Sequence, residues 1–484
     1  MSTMRRWMPG VPDAVFGIVL ATVLVGGRSG FLNDPGTFWH LRLGREILRT
    51  GDVPRFDTLT YTRELQPWVD QSWLFDVSLA SLVDHFGWSA AVAATALLLA
   101  TLYGALARGL VRDGTSPFIA LVVAVVAVGI ASVHFLVRPH LFTFMMVLWF
   151  LDACRRQHEE GGWHIAVLPP LMVLWANLHG GFLAGPIIVA TALLGHVVSG
   201  PWDSGRRKNV TRFGAVLVLC VLAPLVNPYG VGLYQHVGKL LISSGVTELI
   251  DEYQPMPFGQ AKARVFEWVV LALIALPTLG SRRLSRYDLA HSLVWLHFAL
   301  GSIRHAPLFA LAMAPGLAHL LDGLPLSLCS ERGGGRWSLW PAVVGVALVV
   351  FSVSGAPLGG FSPTHWPLKA VPALNARPAD ARLFHEQDWG GLIEAETTPP
   401  RRAFVDDRFE LFGKAAILEY VEALQGGPRW DALRDRERFD LVWVRPERGL
   451  ARRLESDVNW RVAYRDDVSV LFERVVPATH AAAR

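Results

Sequence analysis

The reading of this chain turns on Asp13-Ala-Val-Phe-Gly-Ile-Val-Leu-Ala-Thr-Val-Leu-Val-Gly-Gly-Arg-Ser-Gly-Phe31, followed by Leu32-Asn33-Asp34-Pro35-Gly36. An apolar run of this length predicts a helix that crosses a membrane. Met1–Pro12 precedes it, and no small-residue cleavage site follows a short apolar core, so it reads as a retained first helix that doubles as signal anchor. Asn33-Asp34-Pro35-Gly36 is a turn signal. It leaves an acid just past the end of the span.

Working outward, apolar runs recur near 89–107, 115–137, 140–154, 164–178, 181–199, 213–227, 264–280, 287–303, 306–322 and 337–357. The expected fold is an all-α polytopic membrane bundle of about eleven transmembrane helices. The fourth and fifth runs span only ~15 residues against the ~20 that a bilayer needs. They must extend into neighbouring motif residues or stop short around a cavity. The chain is 52% hydrophobic and 18% charged, whereas soluble domains average about 25% charged.

Basic residues alternate strictly between loops. Arg5 and Arg6 precede the first span; Arg108 and Arg112 follow the second, and Arg155 and Arg156 the fourth. Arg206, Arg207, Lys208 and Arg212 follow the sixth, Arg282, Arg283 and Arg286 the eighth, and Arg332 and Arg336 the tenth. The positive-inside rule makes these loops cytoplasmic, with the N-terminus inside and the C-terminus outside. The other turns then face outward, and they hold Asp34, His40, Asp70, Arg138, His140, Asn177, His179, Glu252, Arg304 and His305. These ten are the candidate site residues, and the candidate site faces the exterior.

The net charge of +4 belongs to the cytoplasmic loops. No basic tract interleaved with aromatics appears, so no nucleic acid is expected as a partner. Cys154, Cys220 and Cys329 form neither a disulfide framework nor a zinc spacing. There is no P-loop, Gly-x-Ser-x-Gly or His-Glu-x-x-His, which removes support for ATP hydrolysis, serine hydrolysis and zinc proteolysis.

Two outer segments are long, 32–88 and 228–263. In the first, Phe38–Leu48 carries apolar residues at three-to-four spacing and reads as a Trp39-anchored helix in the interface plane. A second amphipathic helix is expected over Ser72–Phe86. From Leu358 the apolar runs end, and 358–484 reads as a small extracytoplasmic α/β domain beyond a 1–357 transmembrane domain. Arg402–Arg408, Phe439–Arg445 and Trp460–Arg474 read as strands, the last a hairpin turning near Asp466-Asp467. Helices are expected over Ala415–Gln425, Trp430–Glu437 and Leu450–Glu455.

Each candidate has a bland reading. Asp34 suits an Asx-turn before Pro35 as well as proton transfer. Asn177 and His179, in Trp175-Ala-Asn-Leu-His-Gly-Gly181, suit helix–helix hydrogen bonding as well as a pocket. Arg138-Pro139-His140 and Arg304-His305 could snorkel to headgroups. Two Arg-His pairs on the side opposite the basic loops nonetheless point to an anionic ligand, because the arginine fork fits phosphate. Glu252 reads as a solvated loop acid or as a second candidate carboxylate.

Together, Asp34-Pro35, Trp39-His40-Leu41, Gly44, Gly51-Asp52-Val53-Pro54, Pro67-Trp68-Val69, Arg138-Pro139, Trp175–Gly181, Asn227-Pro228-Tyr229-Gly230 and Arg304–Phe309 resemble polytopic bacterial glycosyltransferases of the GT-C type. The resemblance is to a branch related to protein O-mannosyltransferases and lipid A aminoarabinose transferases. It continues through Asp388-Trp389-Gly390-Gly391 and Asp406-Asp407-Arg408. It implies a glycosyltransferase of the bacterial plasma (inner) membrane that moves a sugar from a polyprenyl-phosphate carrier to a lipid, glycan or protein acceptor outside the cytoplasm. Asp34 matches the essential acid and would be the general base. Arg138 and Arg304, with His305, would hold the lipid phosphate, while His40, Asn177 and His179 would line the sugar pocket. The resemblance leaves a divalent cation open. The alternative is a transporter or flippase of a lipid-linked or anionic solute, though no paired, inverted halves are evident.

Overall fold

The computed structural model describes the chain except for residues 1–6, 27–29, 244, 325–334, 355–357, 359 and 476–484. Arg5, Arg6, Cys329 and Arg332 therefore lie outside the described residues.

The chain begins with α1 (Val11–Gly26), α2 (Gly36–Thr50), α3 (Trp73–Phe86) and α4 (Trp88–Arg112). There follow α5 (Pro117–Ala131), α6 (His140–Glu160), α7 (Leu168–Leu178), α8 (Ala184–Val198) and α9 (Ser204–Leu222). A short α10 (Gly232–Gly238) leads to α11 (Arg264–Leu279), α12 (Arg286–Gly301), α13 (Ala306–Leu321) and α14 (Trp340–Val353). Each apolar run read from the sequence coincides with one of these helices. Among the described residues, four helices are long and apolar enough to cross a membrane: Trp88–Arg112, Pro117–His134, Gly180–Val198 and Ser204–Leu225. Val11–Val25, His164–Leu178 and Trp340–Val353 are shorter apolar helices. The chain is a multi-pass membrane protein.

The two short runs resolve differently. α6 gains a turn and a half past Cys154, through Arg155 and Arg156, and stops where Gly161 takes φ 73°. α7 covers only 11 residues after a 3-10 turn at His164–Val167. Its Pro169-Pro170 pair suits a first helical turn, whose N–H groups have no partner in the helix.

The last part of the chain adds α15 (Val371–Asn375), β1 (Leu383–His385), α16 (Gly390–Glu396), α17 (Phe409–Phe412), α18 (Lys414–Leu424) and α19 (Arg429–Glu437). It ends with β2 (Leu441–Val444), α20 (Gly449–Glu455), β3 (Trp460–Arg465) and β4 (Val470–Arg474). The sheet order is β1-β2-β4-β3, with β1 parallel to β2 and the other pairs antiparallel. The hairpin and the three helices fall where the sequence predicts. Two details differ. Leu383-Phe384-His385 is a strand too short to show periodicity, and Arg402–Arg408 is no ladder strand but makes one bridge, Ala403 to Thr60.

The chain divides into two compact units. The first comprises Met1–Arg28, His85–Leu233 and Ile250–Gly359; the second comprises Ser29–Asp84, Tyr234–Leu249 and Gly360–Arg484. In the second unit the outer loop after α1 and the C-terminal segment share one core. Trp39, Leu43, Leu59 and Trp68 pack in the same cluster as Phe384, Phe404, Tyr420, Trp430 and Phe439. α2 is consequently a buried helix rather than one lying in a membrane interface. Trp39 is 7% exposed, and its indole N–H donates to Asp407 at 2.6 Å. Two glycines permit this packing. A Cβ on Gly44 would sit 2.0 Å from the Asp76 carbonyl oxygen, and one on Gly391 would sit 2.9 Å from the Trp39 nitrogen.

Candidate functional site

In the second unit, Asp34 stands one residue before the Pro35 N-cap of α2 and is 4% exposed. The Thr37 hydroxyl lies 3.4 Å from its carboxylate and the Thr37 N–H donates to its carbonyl, so the acid closes the turn that starts the helix. Two turns on, His40 Nδ1 meets Asp76 of α3 at 2.6 Å, with Trp39 and Phe75 against the ring. Asp70 accepts from the backbone N–H of Ser72 at 3.0 Å, the Asx geometry that opens α3. Burial pushes the Asp70 carboxyl up to about 6. Burial, and then the charge of Asp70, push Asp76 well above the ordinary carboxylate range. The pair thus favours holding a proton beside His40.

A second charged group in this unit is invisible to local sequence reading. Arg408 meets Asp406 at 2.5 Å and Asp57 at 2.8 Å, with all three at most 2% exposed. Its guanidinium lies 4.6 Å from the Trp68 ring centroid. Burial, and next the charge of Asp406, push the nearby Glu394 carboxyl well up. The Asp406-Asp407-Arg408 motif is therefore an internal tie between the outer loop and the C-terminal segment. Asp57 and Thr60, an acid three residues before a hydroxyl that bonds it, are the only local cue to it.

In the first unit, three candidates meet. Glu252, on a 3-10 turn at Asp251–Tyr253, lies 3.3 Å from Arg138 and 3.9 Å from Arg304. The Arg304 guanidinium also lies 4.8 Å from the Tyr253 ring centroid. Two bonds clamp this turn to the link between α12 and α13: the Ser302 hydroxyl donates to the Glu252 carbonyl at 2.8 Å, and the Ile303 N–H to the Gln254 carbonyl at 2.9 Å. Burial raises the Glu252 carboxyl, but Arg138 and then Arg304 outweigh it and hold the group at about 2. Glu252 is thus an ion-paired hinge of an arginine pair, not a solvated loop acid. Burial, then Arg304, push His305 down to about 4, so it stays neutral beside the arginines.

His140 and His179 also converge, with ring centroids 6.4 Å apart. The Gly181 N–H donates to His179 Nδ1 at 3.1 Å, so Nδ1 is an acceptor and the ring proton sits on Nε2. The Thr143 hydroxyl, 2.8 Å from the same Nδ1, itself accepts from the Trp175 indole at 2.8 Å. A Cβ on Gly181 would come within 2.8 Å of both His179 Nδ1 and the Thr143 oxygen, which accounts for the glycine. His140 Nε2 donates to the His134 carbonyl at 2.6 Å, so Nε2 carries the ring proton. The Asn177 amide donates to the Val173 and Val226 carbonyls at 2.8 Å each and ties α7 to the end of α9. Thr143 and His134, unmarked by any sequence motif, complete this cluster.

Among the described residues, no three His, Cys, Asp or Glu side chains converge as a cation site would require.

No protein-family model matches the chain, and no curated protein matches it. Solved structures do. The archaeal oligosaccharyltransferase AglB from Archaeoglobus fulgidus, solved with an inhibitory peptide and a dolichol-phosphate, aligns at TM-score 0.56 and 13% identity over 90% of this chain and 69% of its own. The arabinofuranosyltransferase AftD from Mycobacteria aligns at TM-score 0.53 and 14% identity over 96% of this chain. The chain spans only 41% of AftD's length. Both neighbours are glycosyltransferases, and the likeness covers nearly all of the present chain. The chain shares its fold with these two membrane glycosyltransferases.

Proposed function

We propose that the protein is a glycosyltransferase of the bacterial inner membrane that takes a sugar from a polyprenyl-phosphate carrier and delivers it to a lipid, glycan or protein acceptor outside the cytoplasm. The observation that carries the reading is the Arg138–Glu252–Arg304 cluster in a chain with the GT-C fold. Two half-buried guanidinium groups are held by one carboxylate and one aromatic ring, and arginine forks suit the non-bridging oxygens of a phosphate. The neighbour AglB, solved with a dolichol-phosphate, supports a lipid-borne donor of this kind.

In the proposed reaction an acceptor hydroxyl attacks the anomeric carbon. The bond from that carbon to the phosphate oxygen breaks, and its electron pair leaves with the polyprenyl phosphate. Arg138 and Arg304, with His305 neutral beside them, offset the charge that develops there. Asp34 takes the proton of the attacking hydroxyl. His40, His140, Asn177 and His179 contribute to the sugar pocket, and Asp70 and Glu252 hold the binding groups in place.

The test is transfer from polyprenyl-phosphate sugars in membranes that contain the protein. Asp34→Asn is expected to lower transfer by roughly 10²–10⁴-fold while donor binding persists, the range for loss of a general base. Undiminished transfer by that variant would remove Asp34 from the mechanism.

A further inference from the structure

The arginines of the loops that the charge bias assigns to the cytoplasm surround a cavity within the first unit. It measures about 170 Å³ and is bounded by the C-terminal parts of α4, α6 and α13 and the N-terminal part of α12. Arg108, Arg112, Arg155 and Arg156 line it against two acids, Asp113 and Asp152. A second cavity of about 330 Å³ shares Leu110, Asp113, Arg155, Tyr287 and Pro315 with it and adds Arg282, Arg283, Glu159 and Asp288. Arg112 and Arg156 pair with Asp152 and Arg155 pairs with Glu159 and Asp288, which leaves Arg108 as the lining arginine outside these ion pairs, and apolar side chains (Leu106, Leu148, Trp149, Leu311) complete the wall.

Two further lining side chains are almost wholly buried and incompletely bonded. Tyr287 and His291 are each 2% exposed, and neither the Tyr287 hydroxyl nor either His291 ring nitrogen has a hydrogen-bond partner among the described residues. Their positions are fixed by packing: Tyr287 stacks on His158 at 4.4 Å between centroids, contacts His291 at 4.8 Å, and carries the Arg155 guanidinium 5.7 Å from its ring. Arg155 is itself oriented by its ion pair with Asp288. Buried polar groups are normally paired, and these three unpaired atoms belong to two side chains in the lining of one arginine-rich cavity, where a polar ligand would supply the missing partners.

We propose that this cavity binds the phosphate group of an anionic phospholipid, with the lipid's apolar part against the Leu106–Trp149–Leu311 wall. Basic pockets between membrane helices on the cytoplasmic side are suited to such headgroups. The site is separate from the arginine pair of the proposed reaction. Arg138 precedes α6 and Arg155 lies near its other end, 17 residues on, roughly 25 Å at 1.5 Å per residue. Phosphate is the chemistry recognised, and it could arrive on a lipid or free.

Full-length protein purified in detergent would be titrated with dioleoylphosphatidylglycerol, dioleoylphosphatidylcholine and inorganic phosphate, read by native mass spectrometry and thermal unfolding. Phosphatidylglycerol is expected to bind and raise the unfolding temperature, and phosphatidylcholine to do neither. Tyr287→Phe should weaken phosphatidylglycerol about tenfold, as for loss of a hydrogen bond to a charged group. Its ligand-free unfolding temperature should stay put, because the lost hydroxyl has no protein partner. Arg108→Gln, at an exposed position, provides a second variant with the same expected direction. Tyr287-dependent binding of inorganic phosphate would identify the phosphate alone as sufficient; binding of the lipid only would assign the site to a headgroup with its chains. Equal binding of the two lipids without phosphate binding, or phosphatidylglycerol binding unchanged in both variants, would overturn the proposal.

Discussion

The two units handle arginine in opposite ways. In the second unit, Arg408 is 2% exposed, meets two buried carboxylates and faces two tryptophan rings. In the first, Arg138 and Arg304 keep side-chain exposures of 19% and 30% and share a single carboxylate. Arg408 is committed to two buried carboxylates, whereas Arg138 and Arg304 stand around Glu252 with part of each side chain exposed. The contrast separates an arginine that holds the fold from arginines suited to an anion.

The largest expected effect breaks the first half of that contrast. Arg408→Leu would strand Asp57 and Asp406 without a counter-charge and should cost about 3–5 kcal/mol of stability. Thermal unfolding would read it, and transfer per folded molecule should be unchanged. Loss of transfer with unaltered stability would make Arg408 functional instead.

Asp70 supplies a pH signature for the same unit. Its carboxyl is raised from 3.8 to about 6 by burial, so the folded state favours the protonated form. That stabilisation is complete below about pH 4 and is lost as pH rises through about 6, an effect of about 3 kcal/mol. Asp70→Asn keeps the oxygen that accepts from Ser72 and should flatten the decline in unfolding temperature between about pH 4 and about pH 7. A decline of undiminished size would show that another group carries it.

Arg138→Gln tests the other half. Stability should shift by under about 1 kcal/mol, as for a partly exposed ion pair, while transfer falls about 100-fold through loss of charge stabilisation. A stability loss comparable to that of Arg408→Leu would erase the distinction. The smallest effect belongs to Thr143→Val, which leaves the Trp175 indole N–H buried without its acceptor and should cost about 1–2 kcal/mol. Unfolding unchanged within error would mean that the indole finds another partner.

Much of this architecture was readable from residue order because membrane helices announce themselves by length and hydropathy alone. The hairpin around Asp466-Asp467 and helices α18 to α20 were readable for a related reason, since period and turn chemistry are local. What escaped is non-local. Asp57 and Arg408 pair across some 350 residues, and Glu252 meets Arg138 across 114. Nothing within a window around Glu252 distinguishes a solvated acid from one gripped by two arginines. Trp39 misled for the same reason: an amphipathic helix with a tryptophan looks alike whether its apolar face meets lipid or Phe384 and its neighbours. The ten candidates also sort unequally. Arg138, Glu252 and Arg304 form one cluster with His305 beside it, His140 and His179 form a second, and the Asn177 amide donates to the Val173 and Val226 carbonyls. Asp34, His40 and Asp70 belong to the other unit.

The shared core of the second unit bears on how the protein is made. Trp39 and Trp68 leave the ribosome early, but the aromatic partners that cover them, Phe384 to Trp460, come last. Between Asp84 and Gly360 lie roughly 275 residues, which at roughly 5–20 residues per second take about 14–55 s to synthesise. During that interval two tryptophans and a cluster of acids have no fold to enter. A nascent chain stopped before Gly360 should therefore be a good client for chaperones and proteases, and release of the final segment should end that vulnerability in a single step.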